Sequence, residues 1–298
     1  MIVSCGEALV DLVPDAVPGG GPLNVAVAAA RLGVPSAFVG RVSTDSYGEM
    51  IWAHLERNRV DVRACQRGSE PTARAIVEHT PKLSFRFEGD DTADTCLDEV
   101  NLAALGSGPH IVHGGTLGMF RGRTADVLAS LVEQFVSQHD GVVSLDPNVR
   151  PQIIDDRTRW DHYHQRWLAV ASLYRASDED LDWIWPGRPA EACAAELLTG
   201  RPSAVIVTRG AQNTTIYTDN GDVDVPHHPV DVIDTVGAGD TFVASVLASL
   251  WELNVAGRPA AMATLSTADW AGIGGRAAAV AAITCSRAGA DPPYLDEL

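Results

Sequence analysis

Short β-branched runs alternate with helical patterns along most of this chain, and that alternation restricts its fold more than any other feature. IVSC precedes the Ala-rich NVAVAAARLG, SAFVGRV precedes YGEMIWAHLERN, and HIVHGG precedes TADVLASLVEQFV; GVVSLD and SAVIVTRG follow. Strands separated by helices of this length predict a mostly parallel sheet covered on both faces. Residues 62–88 break the rhythm. There VRACQRG, TARAIVEHT and KLSFRFEG read as consecutive strands joined by turns at Pro71 and Pro81, a small antiparallel insert placed as a flap over the main domain. Residues 155–168 read as a polar-faced helix. No repeat, low-complexity tract or long linker divides the 298 residues, so one domain with an elaboration is expected.

Charge and composition narrow the function. The formal charge of −17, from 39 acidic against 22 basic side chains, repels a nucleic-acid backbone or an anionic membrane, which leaves small molecules as the expected partners. The only lysine is Lys82, followed by Leu83, so no GxxxxGK[ST] loop exists. A phosphate site must therefore use backbone N–H groups, arginine or a metal. Cys5, Cys65, Cys96, Cys193 and Cys285 form no CxxC pair, and an odd number suits a reducing compartment; each is expected to be a small buried residue. The start, MIVSCGEALVDLV, lacks the pattern of a signal peptide, and no apolar run has the length of a membrane span, so a cytoplasmic location is expected.

The stretch DTVGAGDTF (234–242) carries the chemistry. Val243, Val246, Leu247 and Leu250 share one helical face, so the glycines stand where a helix begins. The first N–H groups of a helix lack internal partners, and Gly237 and Gly239 remove side chains that would block close approach, which suits an anion. Asp240 then needs a reason to be there. Either it caps the helix, or it takes a proton from a hydroxyl that attacks phosphorus. The second reading requires a polyol site elsewhere. PGGGPLN (18–24) offers glycines that admit a ligand and Asn24, which both donates and accepts; Asp11, placed at the end of the first strand, could accept from two hydroxyls. Taken singly, Asn24 could equally cap its helix and Asp11 could be a solvated loop residue.

PGGGPLNVAVAAARLG followed by VGRVSTDSYG resembles the N-terminal signature of the ribokinase and phosphofructokinase-B carbohydrate kinases. DTVGAGDTF resembles their C-terminal signature. GEALVDL, FRFEGDDTAD, DPNVRP, SDEDL, VIVTRG and TCSRAGADPP look most like the fructokinase branch, so the resemblance spans essentially the whole chain. It implies a ribokinase-like three-layer α/β/α core over residues 1–298, with a β-sheet lid at about 62–90 and a contribution from near 10–18. It also implies an enzyme that moves the γ-phosphoryl group of ATP to a sugar hydroxyl. By the same resemblance Asp240 is the catalytic base, and the backbone of Gly237, Ala238 and Gly239 stabilises the transferred group. Asp11, Gly20, Gly21, Asn24 and Arg150 fall at the sugar. Thr208, Gly210, Ala282 and Ser286 fall near the nucleotide.

Two departures bear on cofactor and acceptor. Many relatives carry Asn-x-x-Glu where this chain has Ser177-Asp178-Glu179-Asp180, so Ser177 and Asp180 are expected to reach Mg²⁺ through water; a monovalent cation such as K⁺ is a further cofactor the family admits. Ribokinases often place lysine at the position of Gly21, so ribose is disfavoured and fructose favoured, with 2-keto-3-deoxygluconate, other ketoses and nucleosides as alternatives. Thr72, Arg74, Phe85 and Phe87 are candidates for acceptor choice, and a monomer and a homodimer paired through lid edges are both open. His162, His164, His227 and His228 read as surface or loop residues and Trp183 and Trp185 as packing. A dehydrogenase using HGGTLG (113–118) fits GxGxxG poorly, and a sugar-binding regulator would have no use for Asp240.

Overall fold

The computed structural model describes residues 1–13, 15–79, 83–108, 110–139 and 141–298; Pro81 and Lys82 lie outside the described residues, as does the side chain of Phe85. Its main sheet has eight strands. From one edge they are Val223–Val225, Thr214–Thr218, Ala204–Thr208, Leu173–Ser177, Val142–Asp146, Ile111–Gly115, Ile2–Cys5 and Ser36–Val39. The last six run parallel, and the first two close the edge as antiparallel pairs.

Alternation along each strand sends side chains to opposite faces. Val3, Val112, Val143 and Val205 join one apolar cluster with the helices Thr124–His139 and Arg157–Leu168. Ile2, Ile111, Val142 and Ala204 join the other, with the helices Gly21–Arg31, Ala238–Glu252 and Thr267–Cys285. Both faces are thus covered, as a βα-rich sequence requires. The polar-faced helix at 157–168 nevertheless buries Trp160, Tyr163, His164 and Trp167. His164 is a correction to the surface reading: it is 1% exposed and shares a 3.0 Å hydrogen bond with the Tyr174 hydroxyl. Cys65, Cys96 and Cys285 are only half-buried, whereas Cys5 and Cys193 are buried as expected.

A second sheet forms the lid, in the order Asp15–Gly19, Leu9–Val13, Arg74–His79, Leu83–Glu88. It is mixed rather than purely antiparallel, because Val10 to Leu12 pair in parallel with Arg74 to Ile76. The piece VRACQRG does not join it. Gln66–Gly68 pairs in parallel with Arg41–Ser43 instead, drawn there by the Gln66 N–H, which donates to the Gly40 carbonyl at 2.8 Å. Asp11 also differs from expectation. The first strand ends at Cys5, and Asp11 sits inside the lid strand Leu9–Val13, opposite Val17 and Ala75. The break comes at Gly6, where a side chain would collide with the Pro22 ring at 2.5 Å.

Candidate active site

A cleft of about 2040 Å³ lies between the lid and the C-terminal ends of the parallel strands. A drug-sized ligand pocket is typically about 300–1,000 Å³, so this one has room for two ligands side by side. Ligands of open α/β sheets characteristically bind at this edge.

The helix Ala238–Glu252 begins at Gly237, whose φ of 74° is left-handed, a conformation that glycine adopts without strain. A side chain there would also strike Ala290 at 2.6 Å. The turn directs the start of the helix, and Asp240 within its first turn, into the cleft. The Ala238 N–H donates to the Thr235 carbonyl at 3.2 Å, and the next two first-turn donors belong to Gly239 and Asp240.

Opposite this turn, the lid strand Asp15–Gly19 runs into the helix Gly21–Arg31 through Gly20. Gly20 has φ of 111°, and a Cβ on it would stand 2.7 Å from the Glu7 carbonyl. Asn24, one turn into that helix, donates from Nδ2 to Asp240 Oδ2 at 2.8 Å across a sequence separation of 216. The other oxygen, Oδ1, faces the bare Cα of Gly21, where a methyl group would stand 3.4 Å from it and 2.8 Å from Thr116 Oγ1. The two glycine-rich motifs therefore meet at one carboxylate.

Electrostatics around that carboxylate are unusual. Burial raises the pKa of Asp240, while the Asn24 hydrogen bond and the charges of Arg150 and Arg175 hold it down. Asp11 is pushed up to about 6, first by burial and then by the charge of Asp240, with Arg150 opposing. Both carboxylates are thereby made more basic than ordinary aspartates, which suits proton acceptance. Arg150 is exposed in the cleft wall, its guanidinium donating only to the carbonyls of Asn148 and Val149 among the contacts described.

Several functional candidates escaped sequence reading. Arg175 lies inside the strand Leu173–Ser177, buried, donating from Nη1 to Asp146 Oδ2 at 2.8 Å and from Nη2 to Thr208 Oγ1 at 2.6 Å. A charged residue centred in the strand LYRAS was the available signal. Thr116 and Asn148 adopt left-handed φ of 48° and 38° at the ends of adjacent strands, and both line the cleft. For β-branched Thr116 that conformation is an outlier, and such strain collects at functional sites. Glu7, by contrast, is open to a sequence reading, as a structural residue or one that reaches the substrate by way of the strand end; it is fully buried and its Oε2 accepts the Gly118 N–H at 2.8 Å.

Asp11, Gly20, Gly21, Asn24, Arg150, Ser177, Asp180, Gly237, Gly239 and Asp240 all line this one cleft. Thr208, Gly210, Ala282 and Ser286 lie outside its lining; the wall near the C-terminus is made by Ala288 to Asp291. Ser177 and Asp180 close a capping box, in which Asp180 Oδ2 accepts from the Ser177 N–H and hydroxyl at 2.8 and 2.7 Å. Asp180 Oδ1 accepts the Val149 N–H at 2.7 Å. No cluster of three metal-ligating side chains occurs among the described residues, and none of their helices is long and apolar enough to cross a membrane.

Residues 14–297 match the family model described as pfkB family carbohydrate kinase. A fructokinase of Rhizobium leguminosarum bv. trifolii is 33% identical over 261 residues, 84% of this chain and 79% of its own length. The crystal structure of a fructokinase from Xylella fastidiosa with bound ATP superimposes with a TM-score of 0.88 at 29% identity, covering 99% of this chain and 96% of that one. A fructokinase of Vibrio cholerae O395, solved with fructose, ADP and calcium, gives 0.81 at 27% identity over 97% and 94% of the two chains.

Proposed function

We propose that this chain, which belongs to the pfkB family of carbohydrate kinases, transfers the γ-phosphoryl group of ATP to a hydroxyl of fructose. The observation that carries the reading is the 2.8 Å bond between Asn24 and Asp240, which fixes one carboxylate oxygen and leaves Oδ1 facing the space over Gly21. An acceptor hydroxyl placed there gives its proton to Asp240 as its oxygen attacks phosphorus. Asp11 and Arg150 hold the rest of the sugar, and the start of the helix at Gly237, Ala238 and Gly239 faces the phosphoryl charge. The curated fructokinase relative and the fructose-bound and ATP-bound structural neighbours support the acceptor and the donor.

Mg²⁺ bound with the nucleotide would neutralise phosphate charge. The donors present suit a metal that keeps its waters, since both oxygens of Asp180 already accept from the protein and Glu179 lines the cleft beside it. Ser177 and Asp180 would then meet the ion through water.

Asp240→Asn keeps shape and hydrogen bonding but cannot accept the proton. Its kcat should fall by about 10²- to 10⁴-fold in a coupled ATP-consumption assay, with fructose affinity by calorimetry little changed. Near-normal turnover in the folded variant would reduce Asp240 to the structural partner of Asn24. A faster reaction with ribose than with fructose would overturn the acceptor and keep the kinase.

A further inference from the structure

Among the described residues, Arg175 is the one buried arginine that lines the cleft. One arm of its guanidinium is held by Asp146 and the other by Thr208, and Nε is buried with no hydrogen-bond partner among the described residues. What lies over it is Gly239. A Cβ on Gly239 would stand 3.1 Å from Nη2 and 3.3 Å from Nη1, so any side chain at that position would cover the guanidinium. Because glycine has none, the guanidinium packs directly against the helix-start turn, and Arg175, Gly239 and Asp240 line the same cleft.

The charge pairs with buried Asp146, and stability alone is a weak account of such a pair. A buried ion pair seldom stabilises a fold more than well-packed apolar residues of the same volume. Asp146, Asp180 and Asp240 all attract the guanidinium and keep it charged despite burial. The same position is where an anionic phosphoryl group would pass on its way to the acceptor. Preorganised charge in a site closed to water is the strongest means of stabilising charge that develops in a transition state.

We propose that Arg175 is a further catalytic residue of phosphoryl transfer, its guanidinium stabilising the transferring group from the cleft wall beside Gly239. The inference rests on the kinase reading given above. In the step, the acceptor oxygen forms its bond to the γ-phosphorus as the bond from that phosphorus to the β,γ-bridging oxygen breaks. The bridging electron pair leaves with ADP, and the hydroxyl proton passes to Asp240. Arg175 gives and takes no proton; it lowers the energy of the charge spread over the phosphoryl oxygens.

The test compares the parent chain with Arg175→Met, Arg175→Lys and the pair Asp146→Asn/Arg175→Met. The pair removes both charges and stays informative if the lone methionine variant fails to fold. Two measurements are made on folded protein: kcat with the best sugar, and the affinity of ADP with and without aluminium fluoride, a mimic of the phosphoryl group in flight, in the presence of that sugar. We expect kcat to fall by at least about 100-fold without the cation, and less in Arg175→Lys. We further expect the tightening of ADP by aluminium fluoride to be lost while ADP alone binds as before, which a merely structural residue would not produce. Tightening equal to the parent's, with kcat within threefold, overturns the role of Arg175. Absence of ATP consumption by the parent with every sugar overturns the kinase reading, and this inference with it.

Discussion

Replacing Glu7 by glutamine should change how stability depends on pH. Glu7 is 0% exposed, its Oε2 accepts the Gly118 N–H, and its Oε1 is buried with no hydrogen-bond partner among the described residues. Burial, reinforced by the charges of Asp94 and Asp240 and opposed by the backbone hydrogen bonds, pushes the carboxyl from 4.5 up to about 7. One pKa unit corresponds to about 1.4 kcal/mol, so the folded protein bears ~3 kcal/mol when this group is forced to ionise. The sign follows from the raised value. The folded state holds the proton more tightly than the unfolded one, so the contribution is complete below about pH 4.5 and is lost as pH rises through 7. Glutamine keeps the acceptor for Gly118 and never ionises. Urea unfolding at pH 5 and pH 8 should therefore show the parent losing ~2–3 kcal/mol more than Glu7→Gln across that interval. With a slope near 3 kcal/mol/M, that is a divergence in midpoint of roughly 1 M. Asp11 and Asp146 also titrate high, each at about 6, but they are common to both chains and cancel in the comparison. Midpoints that run parallel from pH 5 to pH 8 would refute an ionising Glu7 at the base of the site.

Two further perturbations test the frame around the cleft. Gly20→Ala forces a left-handed φ on alanine and sets its Cβ 2.7 Å from the Glu7 carbonyl, so a loss of at least ~2 kcal/mol is expected, read as a Tm lower by about 4 °C or more; an unchanged melt would show that this junction yields freely. Asp45→Ala removes the N-cap of the helix Ser46–Arg57, where Oδ1 accepts the Gly48 N–H at 2.7 Å, and the two bonds that tie Thr72 to it. The expected cost is ~2 kcal/mol at pH 7. Because these bonds hold the Asp45 pKa below its usual value, the deficit should shrink as pH falls below about 4, and a deficit constant with pH would contradict the cap.

The sheet and its two apolar faces were legible because IVSC, HIVHGG, GVVSLD and SAVIVTRG carry long β-branched runs, and such runs report burial on both sides. The strand Leu173–Ser177 was not, since Arg175 interrupts the run and its cation is accommodated by partners distant in sequence, Asp146 at 29 residues and Thr208 at 33. The edge pair Thr214–Thr218 and Val223–Val225 hid for a different reason: threonine-rich and short, it reads as loop until its antiparallel neighbour is known. At the site, the glycine motifs announced themselves through residue type, as backbone that must approach a ligand does. Thr116 gave no such sign. Its left-handed backbone is imposed by the Thr116 N–H bond to the Asp146 carbonyl and by Glu7 at Gly118, both set by tertiary packing rather than by local preference. Asp11 was assigned to the wrong strand because a three-residue link, Gly6 to Ala8, is too short to show in a pattern of period two.

That link has a mechanical meaning. Gly6 to Ala8 carries the chain from the main sheet up into the lid, and Gly20 brings it back down into the helix that bears Asn24; the two crossings touch where Gly20 packs on the Glu7 carbonyl. They make a pivot. If the smaller sheet tilts about it, each residue travels in proportion to its distance from that point, so the strands beyond Leu9–Val13 travel farther than Asp15–Gly19, which adjoins the pivot. Gly21 and Asn24, one and four residues from the pivot, scarcely move. The bond from Asn24 to Asp240 is thus seated on a short lever arm, where the mouth can open for sugar and product without disturbing the alignment of the base.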